Sequence, residues 1–185
     1  MKIEVNKMVK MGVLSGLSIA LMVYTRFPII PSAPFLKYEA ADVPLLIGSF
    51  MFGPLAGLLM TVVVSMIQAL TLDADSGWVG FVMHVIASGT LVMTAGFIYR
   101  RFHTLKGAII GLITGSLCMT LIMIPANLFF TVKFWGMPYD TVKALIVPAL
   151  LPFNIIKSFA NSIIVMLIYK SLSRIFKHFG NNSSK

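Results

Sequence analysis

The sequence is short of charge, of acids and of cysteine, and each shortage closes off a class of function. Charged residues make up 11% of the 185, where an ordinary soluble domain carries about 25%. Because 58% of the residues are hydrophobic, a soluble globular chain does not fit. The single cysteine, Cys118, has no second cysteine to pair with, and no Cys/His spacing suits a zinc site, so no metal site is expected. No G-x-x-x-x-G-K-[ST] phosphate loop occurs, and the chain is not expected to hydrolyse ATP. His84 and Lys157 could pose as an acid–base pair, but no nucleophile, metal set or carboxylate dyad accompanies them. No catalytic residue is assigned, and an integral-membrane enzyme has little support.

What the sequence does have is basic charge on an apolar background. Fifteen Lys and Arg against six Asp and Glu give +9. In a soluble protein that excess would suggest nucleic acid; here it points to a lipid bilayer, and no nucleic-acid partner is expected. The charged leader MKIEVNKMVK is followed by no small-residue cleavage pattern and is expected to be retained. Apolar runs predict helices over Met8 to Tyr24, Val43 to Leu72, Val79 to Tyr99, Gly107 to Val132 and Pro152 to Leu172. The second run is too long for one fitted span, and Gly53-Pro54 interrupts it, which suggests Val43 to Phe52 followed by Pro54 to Leu72.

The distribution of cations favours that split. With six spans and both termini cytoplasmic, ten of the fifteen cations fall on inside segments: the leader, the Arg100 to Lys106 loop and the tail from Lys170. Five of the six acids then fall outside, and Lys157 is left within the last helix. The fold expected is an all-α integral membrane protein, a single six-helix domain with an outer loop over 26–42.

Polar residues inside membrane helices are costly and usually face a cavity or another helix. At about 1.5 Å of rise per residue, Gln68, His84, Asn127, Asn154 and Lys157 all fall in the outer third of the bilayer. Asn154, Lys157 and Asn161 share one face of the last helix, flanked by Ser158 and Ser162. A lone Lys near a helix end commonly snorkels to the interface, but snorkelling needs no amides beside it. Gln68 and His84, each single, read first as helix-to-helix hydrogen bonds and second as ligand contacts. Amides and an ammonium at one depth suit a neutral, flat, polar-edged solute. Phe129, Phe130, Phe134, Trp135, Phe153 and Phe159 offer aromatic surface nearby, although such stripes often face lipid or core.

The connection RFPIIPSAPFLKYEAADVP carries prolines at 28, 31, 34 and 44, cannot be helical, and lies above the polar cluster like a lid. Taken together, FPIIPSAPFLKYEAADVPLLIGSFMFGPLAG, PANLFF and PFNIIK resemble the riboflavin-binding S component of energy-coupling-factor vitamin transporters, over roughly residues 8 to 172. The resemblance implies six helices enclosing one flavin in a bacterial plasma membrane, with Asn127, Asn154 and Lys157 on the isoalloxazine edge. It further implies Lys37, Tyr38, Glu39 and Asp42 at the loop side of the site, with no catalytic cofactor. Its implied partners are a membrane coupling subunit and two ATPase subunits. Family members dock on that subunit through an Ala-x-x-x-Ala strip, for which this chain offers Gly12, Gly16 and Ala20; packing within the bundle is the competing use of such a strip. An S component for another vitamin or precursor is the alternative, and a structural membrane protein without a ligand is a third. No Asp or Glu falls inside a predicted helix, so no carboxylate relay for protons is expected.

Overall fold

The computed structural model describes residues 5–31 and 33–182, and side chains for 5–31 and 33–169. Lys2, Lys170, Arg174, Lys177 and Lys185, counted among the inside cations, lie outside the described side chains.

The chain is almost wholly helical. α1 (Val5–Tyr24) leads into a loop whose ends pair as a small antiparallel hairpin, β1 (Phe27–Pro28) with β2 (Lys37–Tyr38). α2 (Asp42–Phe52), α3 (Pro54–Thr71), α4 (Gly77–Phe102) and α5 (Leu105–Ala126) follow, with a short 3-10 turn, Ala74–Ser76, before α4. Five helical stretches are long and apolar enough to cross a membrane: Val5–Tyr24, Pro54–Thr71, Ala74–Phe102, Leu105–Trp135 and Tyr139–Tyr169. α2, with 11 residues, is not. At about 1.5 Å per residue it falls short of a hydrocarbon core of about 30 Å.

α2 is instead the core helix. Nine of its residues are buried, and it packs on α1, α3, α4 and the last helix, α8 (Leu151–Asn182). Gly53, at φ 95°, ends it and lets the chain double back into α3, whose first residue is Pro54. A proline there gives up only an N–H that has no helical partner. Close approach of α4 and α5 depends on Gly111 and Gly115: a Cβ on either would sit 2.8 Å from the carbonyl oxygen of Ala95 or Leu91.

The second half departs from the sequence reading. α5 leads into a helical stretch that runs to Trp135, three residues past the expected end at Val132. It widens into a π turn over Asn127–Thr131 and continues as α6 (Val132–Trp135). After a tight turn at Gly136, α7 (Tyr139–Leu145), a second π turn (Ile146–Leu150) and α8 (Leu151–Asn182) run on without a break. The last helical stretch therefore begins at Tyr139 rather than at Pro152. Prolines read as breaks because they remove a hydrogen bond and clash with the preceding turn; Pro148 lies within the wider π turn, and helical structure continues through it.

Candidate functional site

α3, α4, α5 and α8 enclose a cavity of about 910 Å³, its open mouth included, beneath the 26–41 loop. Gln68 from α3, His84 from α4, Asn127 at the end of α5, and Asn154 and Lys157 from α8 all line it.

The two asparagines are set by the π turns. Asn127 opens the first, two residues after Pro125, and its Nδ2 donates to the Met123 carbonyl at 2.7 Å. Asn154 follows the second, and its Nδ2 donates to the Leu150 carbonyl at 2.7 Å. Each amide spends one donor on its own helix, which fixes the rotamer. Asn127 Oδ1 also accepts from Thr131 at 3.4 Å.

Lys157 does not snorkel. It is buried, and its Nζ lies 3.1 Å from Glu39 Oε1. The same oxygen is 2.9 Å from His84 Nε2, and Gln68 Nε2 approaches both carboxylate oxygens at 3.3 and 3.4 Å. His84 Nδ1 meets Ser65 Oγ at 2.8 Å, so α3 holds the ring that α4 supplies. Burial alone would push the Glu39 carboxyl up; the Lys157 ammonium and the His84 hydrogen bond outweigh it and hold the group below the usual carboxylate range. The carboxylate among these polar groups comes from the loop and not from a helix: Glu39, expected at the loop side of the site, is buried in the bundle. A second pair, Arg26 with Asp73, borders the same cavity, and Gln68 Nε2 links the two by donating to Asp73 Oδ2 at 2.7 Å.

Other loop residues divide into two groups. Lys37 is exposed at the mouth and lines the cavity together with Leu36 and Phe35. Tyr38 and Asp42 do not line it, and neither does Asn161. These three form a buried clasp instead: Tyr38 Oη donates to Asn161 Oδ1 at 2.9 Å, and Asn161 Nδ2 donates to the Glu39 carbonyl and to Asp42 Oδ2, each at 3.1 Å. Ser18 Oγ on the Ala41 carbonyl and the Ala40 N–H on Thr25 Oγ1 tie the same stretch to α1. The loop is a built part of the bundle over residues 38–42. Of the aromatic residues singled out by sequence, Trp135 and Phe153 line the cavity, whereas Phe129, Phe130 and Phe134 cluster beside it, Phe130 and Phe134 also meeting Trp78.

Sequence reasoning missed Arg26, Ser65 and Asp73. Arg26 and Asp73 stand at helix ends, where charge is ordinary, and only the fold pairs them.

A family model described as "ECF transporter, substrate-specific component" matches residues 6–169. The chain belongs to that family of ECF transporter S components. The riboflavin transporter RibU of Staphylococcus aureus (strain TCH60) is 30% identical over 178 residues, covering 93% of each chain. The riboflavin transporter FmnP of Bacillus subtilis (strain 168) is 28% identical over 177 residues, 91% of this chain and 93% of the relative. A solved S component of a bacterial ECF transporter superposes with a TM-score of 0.79 at 30% identity, covering 93% of this chain and 98% of that one. In this S component the sequence motifs lie where the geometry concentrates polarity: PANLFF supplies Asn127, and PFNIIK supplies Asn154 and Lys157.

Along α1, Gly12 and Gly16 are exposed, and a Cβ on either would meet nothing within 4 Å. Those two positions face away from the bundle, whereas Ala20 is half-buried, so the two glycines do not pack internally.

Proposed function

We propose that this S component captures riboflavin from outside a bacterial plasma membrane and hands it to separate energising subunits. The observation that carries the reading is the convergence of Asn127, Asn154 and Lys157 on one cavity in a chain similar over nine-tenths of its length to riboflavin transporters. The isoalloxazine edge carries carbonyl and ring-nitrogen acceptors beside an imide N–H. Two amides and an ammonium match that alternation. Phe153, Trp135 and Met119 supply apolar walls for the ring, and the loop with Lys37 covers the polyol end.

Six spans with both termini cytoplasmic complete the reading. α2 and α3 act as an outgoing and returning pair, and the short α2 starts below the membrane surface because the 38–42 stretch dips into the bundle. The chain performs no chemistry on its ligand. Gly12, Gly16 and Ala20 form the flat strip on which the coupling subunit docks, and two ATPase subunits drive reorientation of the whole bundle.

The test is a fluorescence titration of the purified chain. Riboflavin emission should quench saturably with an equimolar end point, and the protein should carry yellow ligand from cells. Absence of saturable quenching refutes the assignment, and preference for another member of a vitamin panel replaces the ligand while leaving the family intact. Asn154→Ala should weaken binding by about 1–3 kcal/mol, roughly 5- to 150-fold; unchanged affinity would mean that the site is misplaced.

A further inference from the structure

The cavity contains more charge than a neutral ligand needs. Lys157 on its own, buried at the floor of a pocket, would be a site for a carboxylate or phosphate, because charge-assisted hydrogen bonds are the strong ones. It is not on its own. Glu39 stands 3.1 Å away, and three side chains from three helices hold that carboxylate: Gln68, His84 and Lys157 itself. Asn161 fixes the Glu39 main chain from the same helix that bears Lys157. A carboxylate restrained at both its oxygens and its backbone is a fixed counter-charge rather than a mobile hook for ligand. A partly buried cation that borders the cavity, Arg26, is paired with Asp73.

We infer that Glu39 is a specificity-determining residue: by cancelling the charge of Lys157 it restricts the floor of the cavity to neutral ligands and rejects anionic ligands of the same shape. An ammonium has three donors, and the contact with Glu39 uses one, so donors remain for a neutral carbonyl or ring nitrogen. An anion reaching the same donors meets the Glu39 carboxylate beside them, in surroundings where water screens little. Discrimination of this kind comes from a built-in repulsion, not from an added attraction. Lys37, exposed at the mouth, is screened by solvent and leaves the rule at the floor intact.

The inference rests on riboflavin as ligand, and its test keeps the two claims apart. The full chain in detergent is titrated with riboflavin and with two derivatives bearing a carboxymethyl or a carbamoylmethyl group on the ring imide nitrogen, alike in shape and different in charge. Wild type should bind the amide more tightly than the acid by about tenfold or more. Glu39→Gln should reverse that order. The double variant Glu39→Gln/Lys157→Gln, which leaves neither charge unpaired and guards against a single variant that does not fold, should show affinities within about twofold of each other. The wild-type order persisting in either variant overturns the role of Glu39, as does failure of folded Glu39→Gln to bind the acid derivative. Failure of wild type to bind riboflavin itself refutes the parent reading instead.

Discussion

Asn161 separates a clasp from a ligand contact, and its replacement by Leu gives the sharpest test of how the loop is held. The side chain is fully buried and joins three groups: the Tyr38 hydroxyl, the Glu39 carbonyl and Asp42 Oδ2. Leu keeps the volume and removes every one of those bonds. Each buried polar group left without a partner costs about 1–3 kcal/mol. Asp42 dominates, since it is fully buried, its Oδ1 already lacks a partner, and Asn161 is the donor that satisfies Oδ2. Allowing the loop to relax so that Tyr38 and the Glu39 carbonyl regain water, a net loss of about 3 kcal/mol is reasonable. For a chain of this size that corresponds to about 6–12 °C in melting temperature. The assay is thermal unfolding of the ligand-free protein in detergent, followed by a riboflavin titration of the same sample. The clasp predicts a lowered melting temperature without ligand and weakened binding, because Glu39 loses its main-chain anchor. A residue that merely touched ligand would weaken binding and leave the ligand-free melting temperature unchanged. That second pattern would refute the clasp.

Three further outcomes follow from the same geometry. Gly16→Leu should leave riboflavin affinity of the isolated chain within about twofold, since the site is enclosed by other helices, while uptake by cells carrying the whole transporter collapses; equal loss of binding and uptake would place the strip inside the fold. The Glu39 carboxyl is held below its usual 4.5, so the stability it contributes is present above that value and is lost as pH falls through the lower folded-state value. The melting-temperature gap between wild type and Glu39→Gln should therefore stay constant from neutral pH down to about 5 and shrink only in stronger acid; a gap that closes at pH 6 would contradict the pairing. Thr131→Val removes the hydroxyl that donates to Asn127 Oδ1 at 3.4 Å, and should change riboflavin affinity by less than threefold, about 0.6 kcal/mol, since the bond is long and the amide stays anchored on Met123.

Depth along a helix was legible from sequence because rise per residue is fixed, and Gln68, His84, Asn127, Asn154 and Lys157 do line one cavity. What they bond to was not legible. Glu39 reaches Lys157 across 118 positions of sequence, and nothing local to KYEAAD distinguishes a solvated loop acid from a buried counter-ion. The Tyr38 and Asp42 side chains turn toward Asn161 for the same reason: the partner is on the last helix, far beyond any window in which periodicity speaks. The start of the last helix failed where proline misled. The fifth helix was read through Pro125 but the last was not read through Pro148, and whether a proline ends a helix or is carried through a π turn depends on neighbours that pack around the widened turn.

The shortage of acids acquires a different meaning once the fold is known. Of six in the chain, Glu39 and Asp73 border the cavity and Asp42 closes the clasp that holds the loop. An apolar bundle can keep a buried ammonium only if something neutralises it, because an isolated charge inside a membrane protein is expensive. A carboxylate on a spanning helix would have to be inserted with that helix and would itself require a partner during insertion. A carboxylate on a proline-stiffened loop avoids that difficulty, since it can enter from the aqueous side after the helices have assembled around Lys157. The loop is therefore the element that makes a cation at the floor of the cavity tolerable, and the position of Glu39 ties the stability of the fold to the charge that an incoming ligand meets.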